Sequence, residues 1–97
     1  MTVLVWNVRG LNKPTRRRDV KNHIQLLSPS IVSLLETKVK EQFSVRILSC
    51  LPKGWAYCNN YTHSYGGRIW VCWNQEVGKC DVVAKSGQHV TLSTNNT

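Results

Sequence analysis

Residues 3–38, which read VLVWNVRGLNKPTRRRDVKNHIQLLSPSIVSLLETK, decide the fold class of this chain. Two strands are predicted, one over Thr2–Asn7, which has four apolar residues in a row and is apolar on both faces, and one over the apolar run Ile31–Leu35. Between them, apolar residues at helical spacing predict a helix that Thr15 caps and that runs to Leu27. A strand, a helix and a second strand in so short a segment predict a crossover between parallel strands.

The rest of the chain predicts a mixed α/β fold. A second helix is predicted over Glu41–Leu51, where Pro52 ends it, and a third strand over Trp55–Asn59. The segments RIWVCW, CDVVA and HVTLS follow, separated by turn residues, and they indicate an antiparallel meander. The expected order is therefore βαβαβ followed by antiparallel strands.

The charge balance favours a polyanionic partner. The chain carries 13 Lys and Arg residues against 5 Asp and Glu residues, a net charge of +8. Nucleic acid is the simplest such partner, and the alternatives are a solvated basic surface or a fragment whose acidic half is missing. Basic residues at the start of the first helix oppose its dipole, which points to an external anion. The residues predicted to bind nucleic acid are Arg9, Lys13, Arg16, Arg17 and Arg18.

The four cysteines are predicted to be thiols, mostly buried, and not zinc ligands. Cys50, Cys58, Cys72 and Cys80 form no close pair, and no histidine stands at zinc-finger spacing from them. No apolar run approaches the roughly 20 residues of a membrane span. We therefore expect no membrane association and an intracellular location, nuclear or cytoplasmic.

Asn7 and Glu36 occupy matching places, because each ends an apolar strand of the same crossover. Parallel strands bring both residues to one sheet edge, where open α/β sheets hold ligands. One carboxylate beside an amide suits Mg²⁺, which completes its shell with water and substrate phosphate. Two interpretations fit. The pair forms a metal site, or Asn7 is a turn residue and Glu36 caps the following turn.

The segments VLVWNVRGLNKPTRRRDVKN, SPSIVSLLETKV and NYTHSYGGRIWVCWN resemble the endonuclease/exonuclease/phosphatase superfamily. More narrowly, they are similar to the N-terminal part of the apurinic-type endonuclease domain of plant LINE-type (non-LTR) retrotransposons. The resemblance runs from about Val3 to Asn74. It implies that Glu36 binds the catalytic Mg²⁺ or Mn²⁺ and that Asn7 helps to organise the metal and phosphate site. It also implies DNA as the partner and phosphodiester hydrolysis as the family's reaction.

The later motifs of that family are absent from this sequence. A Gly-Asp-Phe-Asn-like strand end and a Ser-Asp-His-like terminus would supply the general base and the phosphate-contacting histidine. The only aspartates are Asp19 and Asp81, and neither His23, His63 nor His89 follows an aspartate. Residues 1–97 are therefore expected to be a partial domain that is inactive alone, because catalytic groups that act as a unit fail together.

The resemblance implies the N-terminal half of a four-layer α/β sandwich, with one mixed sheet and helices on one of its faces. The other face would be uncovered, which favours self-association. Which residues it exposes depends on strand parity, and the candidates are Val3, Val5, Val32, Leu34, Ile69 and Val71.

Three hypotheses about function follow. The first is a truncated retrotransposon endonuclease domain without activity of its own. The second is a basic nucleic-acid-binding module, whose binding would weaken steeply with salt. The third is an interaction protein that pairs through its uncovered sheet face, without that sensitivity to salt.

Overall fold

The structure, a computed structural model, describes residues 2–61, 69–76, 79–85 and 90–95. It is a small α/β domain, as the sequence predicts. Its strands are β1 (Val3–Asn7), β2 (Ile31–Leu35), β3 (Ala56–Asn59), β4 (Ile69–Trp73), β5 (Lys79–Lys85) and β6 (Val90–Asn95). Its helices are α1 (Pro14–Leu27) and α2 (Val45–Leu48), with a 3₁₀ turn at Glu41–Phe43. Arg68 and His89, with which two predicted strands begin, lie outside the described residues.

One mixed sheet organises the domain. Its strand order is β1-β2-β4-β3, in which β1 and β2 are parallel and β4 runs antiparallel to both of its neighbours. The predicted crossover is therefore confirmed, with Asn7 paired to Leu35 where the two parallel strands end. The predicted single meander is wrong, because β5 and β6 pair with each other in a separate sheet.

Helix α1 begins earlier than predicted. Lys13 is the N-cap residue in an extended conformation, Pro14 occupies the first helical position, and no side chain caps the helix. The predicted cap at Thr15 is wrong, because the fixed φ of proline suits the first position of a helix and needs no amide hydrogen there. The predicted end is confirmed. Ser28 is left-handed, with φ of 45°, and donates its backbone N–H to the Ile24 carbonyl.

The predicted helix over Glu41–Leu51 is wrong as a single element, since only the 3₁₀ turn and the one turn of α2 form. Ile47 is fully buried, but Phe43 is 40% exposed and Val45 is 69% exposed, so the apolar stripe is not continuous. A helix this short draws its stability from packing and not from propensity. Only the Ile47 turn receives such packing.

The core lies between α1 and one face of the sheet. Val32, Leu34, Trp70 and Cys72 on this face pack in one buried cluster with apolar side chains of α1. Trp70 is core, as one of the two tryptophans of β4 is expected to be by strand parity. Its indole N–H donates to the hydroxyl of Tyr61, which donates to the Val39 carbonyl at 2.7 Å. These buried polar groups are therefore satisfied.

On the opposite face, the outer face, the most exposed side chains among the described residues lie on β1. Val3 is 52% exposed and Val5 is 62% exposed, so these two candidates are confirmed. Ile69 and Val71 of β4 share this face and are buried. Val32 and Leu34 are fully buried because they point towards α1. The expected exposure of Val32, Leu34, Ile69 and Val71 is therefore wrong.

All four cysteines are thiols. Cys50 and Cys72 are buried, and Cys58 and Cys80 are partly buried. Burial raises the pKa of the Cys72 thiol far above its ordinary range, because the thiolate would lose its hydration there. Burial also raises the pKa of Cys50, and the nearby Arg17 guanidinium opposes part of that rise.

Candidate nucleic-acid interface

The loops after β1 and β2 are bound to each other at the carboxyl edge of the sheet, where both parallel strands end. Three backbone bonds continue the strand pairing into the loops, and the Asn12 side chain adds a fourth bond. They are Val8 N–H to the Leu35 carbonyl (3.0 Å), Gly10 N–H to the Glu36 carbonyl (2.8 Å), Leu11 N–H to the Thr37 carbonyl (2.8 Å) and Asn12 Nδ2 to the Lys38 carbonyl (3.0 Å). The edge is therefore a well-defined scaffold.

Backbone strain is concentrated in these two loops. Arg9 (φ 51°), Glu36 (φ 54°) and Lys38 (φ 56°) are left-handed although each carries a side chain. A left-handed residue other than glycine costs about 1–2 kcal/mol, and such strain clusters at functional sites. Gly10 has φ of 104°, which only glycine adopts without strain. Glu36 comes two positions after the buried Leu34 and is exposed, so the alternation of the strand ends at this left-handed residue.

The Asn7 side chain makes a local turn. It is exposed at the end of β1, and its Oδ1 accepts the Arg9 backbone N–H at 3.2 Å. This is the turn interpretation of Asn7. Its role in a metal and phosphate site stays a prediction.

Glu36 is exposed at the same edge and offers one carboxylate. Among the described residues there is no group of three or more His, Cys, Asp or Glu side chains suited to a metal ion. One carboxylate still fits Mg²⁺, which accepts water and phosphate oxygens for the rest of its shell. Because cationic side chains crowd this edge, a divalent ion gains from arriving together with an anion.

A depression of about 220 Å³ opens beside the two loops, and we call it the basic pocket. Four of its lining residues are cations, one is an amide and one is a glycine. They are Arg9, Gly10, Asn12, Lys13, Arg16 and Lys38. The structure thus brings together Arg9, Lys13 and Arg16, three of the five residues for which nucleic-acid binding is predicted, and it adds Asn12 and Lys38.

The three consecutive arginines of α1 have three different positions. Arg16 lines the basic pocket. Arg17 is half-buried, and its Nη1 donates to the Leu11 carbonyl at 2.9 Å and to the Asn12 carbonyl at 2.8 Å. Arg18 is exposed and does not line the basic pocket. Successive helical residues differ by about 100° in direction, so three neighbours cannot share one site.

Sequence reasoning missed the contribution of Asn12 and its partner Arg46. The Asn12 amide donates to the Lys38 carbonyl, and its oxygen accepts Arg46 Nη1 at 3.1 Å. Asn12 therefore ties the loop after β2 to the region of α2. GLNKP predicts only a turn, so no local signal marks this role. Lys38 had a signal, because it follows Glu36 closely within the segment that carries the resemblance.

No protein-family model matches the chain, and no curated protein matches it. Among the residues that the structure describes, none of the helices has both the length and the apolar character to cross a membrane.

Proposed function

We propose that this chain is the opening part of an endonuclease/exonuclease/phosphatase-type domain, derived from a retrotransposon, that binds DNA phosphates but does not cleave them alone. The observation that carries the proposal is the basic pocket. It places four cations, Arg9, Lys13, Arg16 and Lys38, around one depression, and its lining residue Gly10 bonds through its N–H to the Glu36 carbonyl. Binding to the phosphate backbone releases counterions, which makes such contacts favourable and sensitive to salt.

The lining residues suit a phosphodiester in different ways. Arg9 and Arg16 offer planar guanidinium groups that can donate two hydrogen bonds to one phosphate, whereas Lys13 and Lys38 act as point charges. The loop bonds that hold the Gly10 and Lys38 backbone reduce the ordering needed on binding. A rigid edge with flexible cationic side chains favours backbone contact over base recognition.

Glu36 and Asn7 are the residues that would hold Mg²⁺ or Mn²⁺ in this proposal. The metal would polarise a phosphoryl oxygen and stabilise charge on it. The chain's own residues then bind and orient the phosphate. Among the described residues, Asp19 and His23 lie on α1, and the His23 ring contacts the Trp6 ring. Neither of these two residues lines the basic pocket.

The matched variants Arg16→Gln and Arg18→Gln test the binding site, because both remove one charge from α1 and only Arg16 lines the pocket. We expect Arg16→Gln to weaken binding to a labelled DNA duplex and to reduce the salt slope by about 0.9, the value for one phosphate contact. Arg18→Gln should leave the slope unchanged. Equal effects of the two variants would show that net charge, and not the pocket, binds DNA.

A nicking assay on supercoiled plasmid with Mg²⁺ tests the absence of catalysis. We expect no nicking above buffer by the chain and no difference between it and Glu36→Gln. Nicking that Glu36→Gln abolishes would overturn the inactive assignment, while the DNA-binding result would stand independently.

A further inference from the structure

The outer edge of β1 has no neighbouring strand among the described residues, because β1 is the first strand in the order β1-β2-β4-β3. The bonds to β2 determine which backbone groups face outward. The Thr2 carbonyl accepts from the Ile31 N–H, and the Val8 N–H donates to the Leu35 carbonyl, so the even-numbered residues face β2. Since backbone groups alternate along a strand, those of Val3, Val5 and Asn7 point to the outer edge.

This edge lacks the usual protection of an edge strand. β1 reads VLVWN, with no charge, no proline and no glycine. Charged residues, proline or a bulge are the common means of keeping an edge from pairing. The three residues whose backbone groups face outward also have exposed side chains, with Val5 at 62%. The edge therefore offers both unpaired backbone groups and accessible apolar surface.

We propose that two copies of this chain pair through the outer edges of β1, antiparallel and with Val5 on the two-fold axis. Val5 then faces Val5 of the second copy, and Val3 faces Asn7 of the second copy. In an antiparallel ladder these are the pairs that exchange two hydrogen bonds each, and they use only the outward-facing groups. The pairing joins two four-stranded sheets into one sheet of eight strands.

A second copy suits this edge because the three outward-facing residues are placed symmetrically about Val5, so a two-fold axis at Val5 pairs all of them. The same three residues supply all donors and acceptors on both sides, as an isologous interface requires. The strand itself is uncharged, so no like charges face each other inside the pairing. Each copy nevertheless carries a net charge of +8, and the two copies repel each other at a distance.

The charge makes the salt dependence diagnostic. Added salt screens the repulsion between copies and should strengthen self-association. Salt should weaken DNA binding, because the chain is positively charged and DNA is negatively charged. The pairing covers one short strand, so the interface is small and the dimer should be populated only at high protein concentration. This proposal does not depend on the proposed function.

The test is sedimentation equilibrium of the full chain from about 10 µM to 1 mM, the range for a small interface. Val5→Lys places two ammonium groups across the two-fold axis. Val83→Lys on β5 is the matched control, because Val83 is 63% exposed and Val5 is 62% exposed. We expect Val5→Lys to weaken dimerisation about five- to tenfold, from the lost valine pair and the like charges. Val83→Lys should leave it unchanged.

Hydrogen exchange in the dimer separates edge pairing from association through the outer face. The amides of Val3, Val5 and Asn7 should become protected as protein concentration rises. A monomer throughout the range, or a dimer that Val5→Lys and Val83→Lys weaken equally, would overturn the proposal. A dimer in which these three amides still exchange rapidly would show that the outer face is the interface, and would overturn the edge pairing.

Discussion

Replacing Arg17 by methionine should lower the free energy of unfolding, whereas the same change at Arg18 should not. Arg17 Nη1 donates to two carbonyls of the loop after β1, those of Leu11 at 2.9 Å and Asn12 at 2.8 Å. Arg17 thereby joins α1 to the loop that forms one wall of the basic pocket. Methionine retains an apolar stem for packing and removes the charged donor.

The expected loss is about 2 kcal/mol. A hydrogen bond to a charged donor contributes roughly 1.5–3 kcal/mol when it is shielded from water. The bond to Leu11 is partly buried and counts at that level, whereas the bond to Asn12 is exposed and adds little because water replaces it. For a domain of this size, about 2 kcal/mol corresponds to a fall in Tm of roughly 8–16 °C.

Urea unfolding followed by tryptophan fluorescence measures the effect. Arg18→Met is the matched control, because it removes the same charge from an exposed position on the same helix. We expect the control to stay within about 0.5 kcal/mol of the original chain. An Arg17→Met variant as stable as Arg18→Met would refute the reasoning that Arg17 holds the loop.

Two further predictions concern the basic pocket and the buried thiols. Lys38→Gln should weaken DNA binding about five- to eightfold near 0.1 M salt, which is the contribution of one phosphate contact. The control Lys53→Gln, at an exposed position outside the pocket, should leave DNA binding unchanged. Equal losses in the two variants would contradict the role of Lys38. Burial raises the pKa of Cys50 and Cys72, so these thiols lose their protons at higher pH in the folded chain than in the unfolded chain, where they ionise at about pH 8.5. The contribution of each thiol to the free energy of unfolding should therefore be fully present below that pH and should decrease above it. For each thiol the decrease is at most about 1.4 kcal/mol per pH unit. Urea midpoints at several alkaline pH values check this, with Cys72→Ala expected to flatten the dependence; a pH-independent midpoint would contradict it.

Much of the fold is predictable because hydrophobic periodicity is local. The apolar runs of β1 and β2 with a helical stripe between them predict the parallel pair that the structure contains. The prediction of one long second helix is wrong because its apolar stripe included Phe43, which is exposed. Only tertiary packing decides which apolar residues are buried. The predicted start of α1 is wrong because Pro14 and Thr15 both suit the beginning of a helix. The structure has Pro14, with its fixed φ, at the first helical position.

The candidate site also has a part that the sequence predicts and a part that it does not. The strand ends predict that Asn7 and Glu36 reach one sheet edge, and the register of β1 with β2 places them there. The three arginines look equivalent in the sequence. Whether each lines the pocket, bonds to the loop or faces solvent depends on the rotation of α1 against the loops. The rotation of α1 against the loops cannot be predicted from the sequence pattern or from local helix propensity.

The sequence alone therefore determined the crossover, the edge at which its strands end and the excess of positive charge, because these follow from residue order and composition. Only the tertiary structure decided that Lys38 joins Arg9, Lys13 and Arg16 around one depression. It also decided that the outer edge of β1 is unpaired among the described strands. The physical reason is that both features depend on contacts between segments distant in sequence, whose relative positions are set by packing of the core.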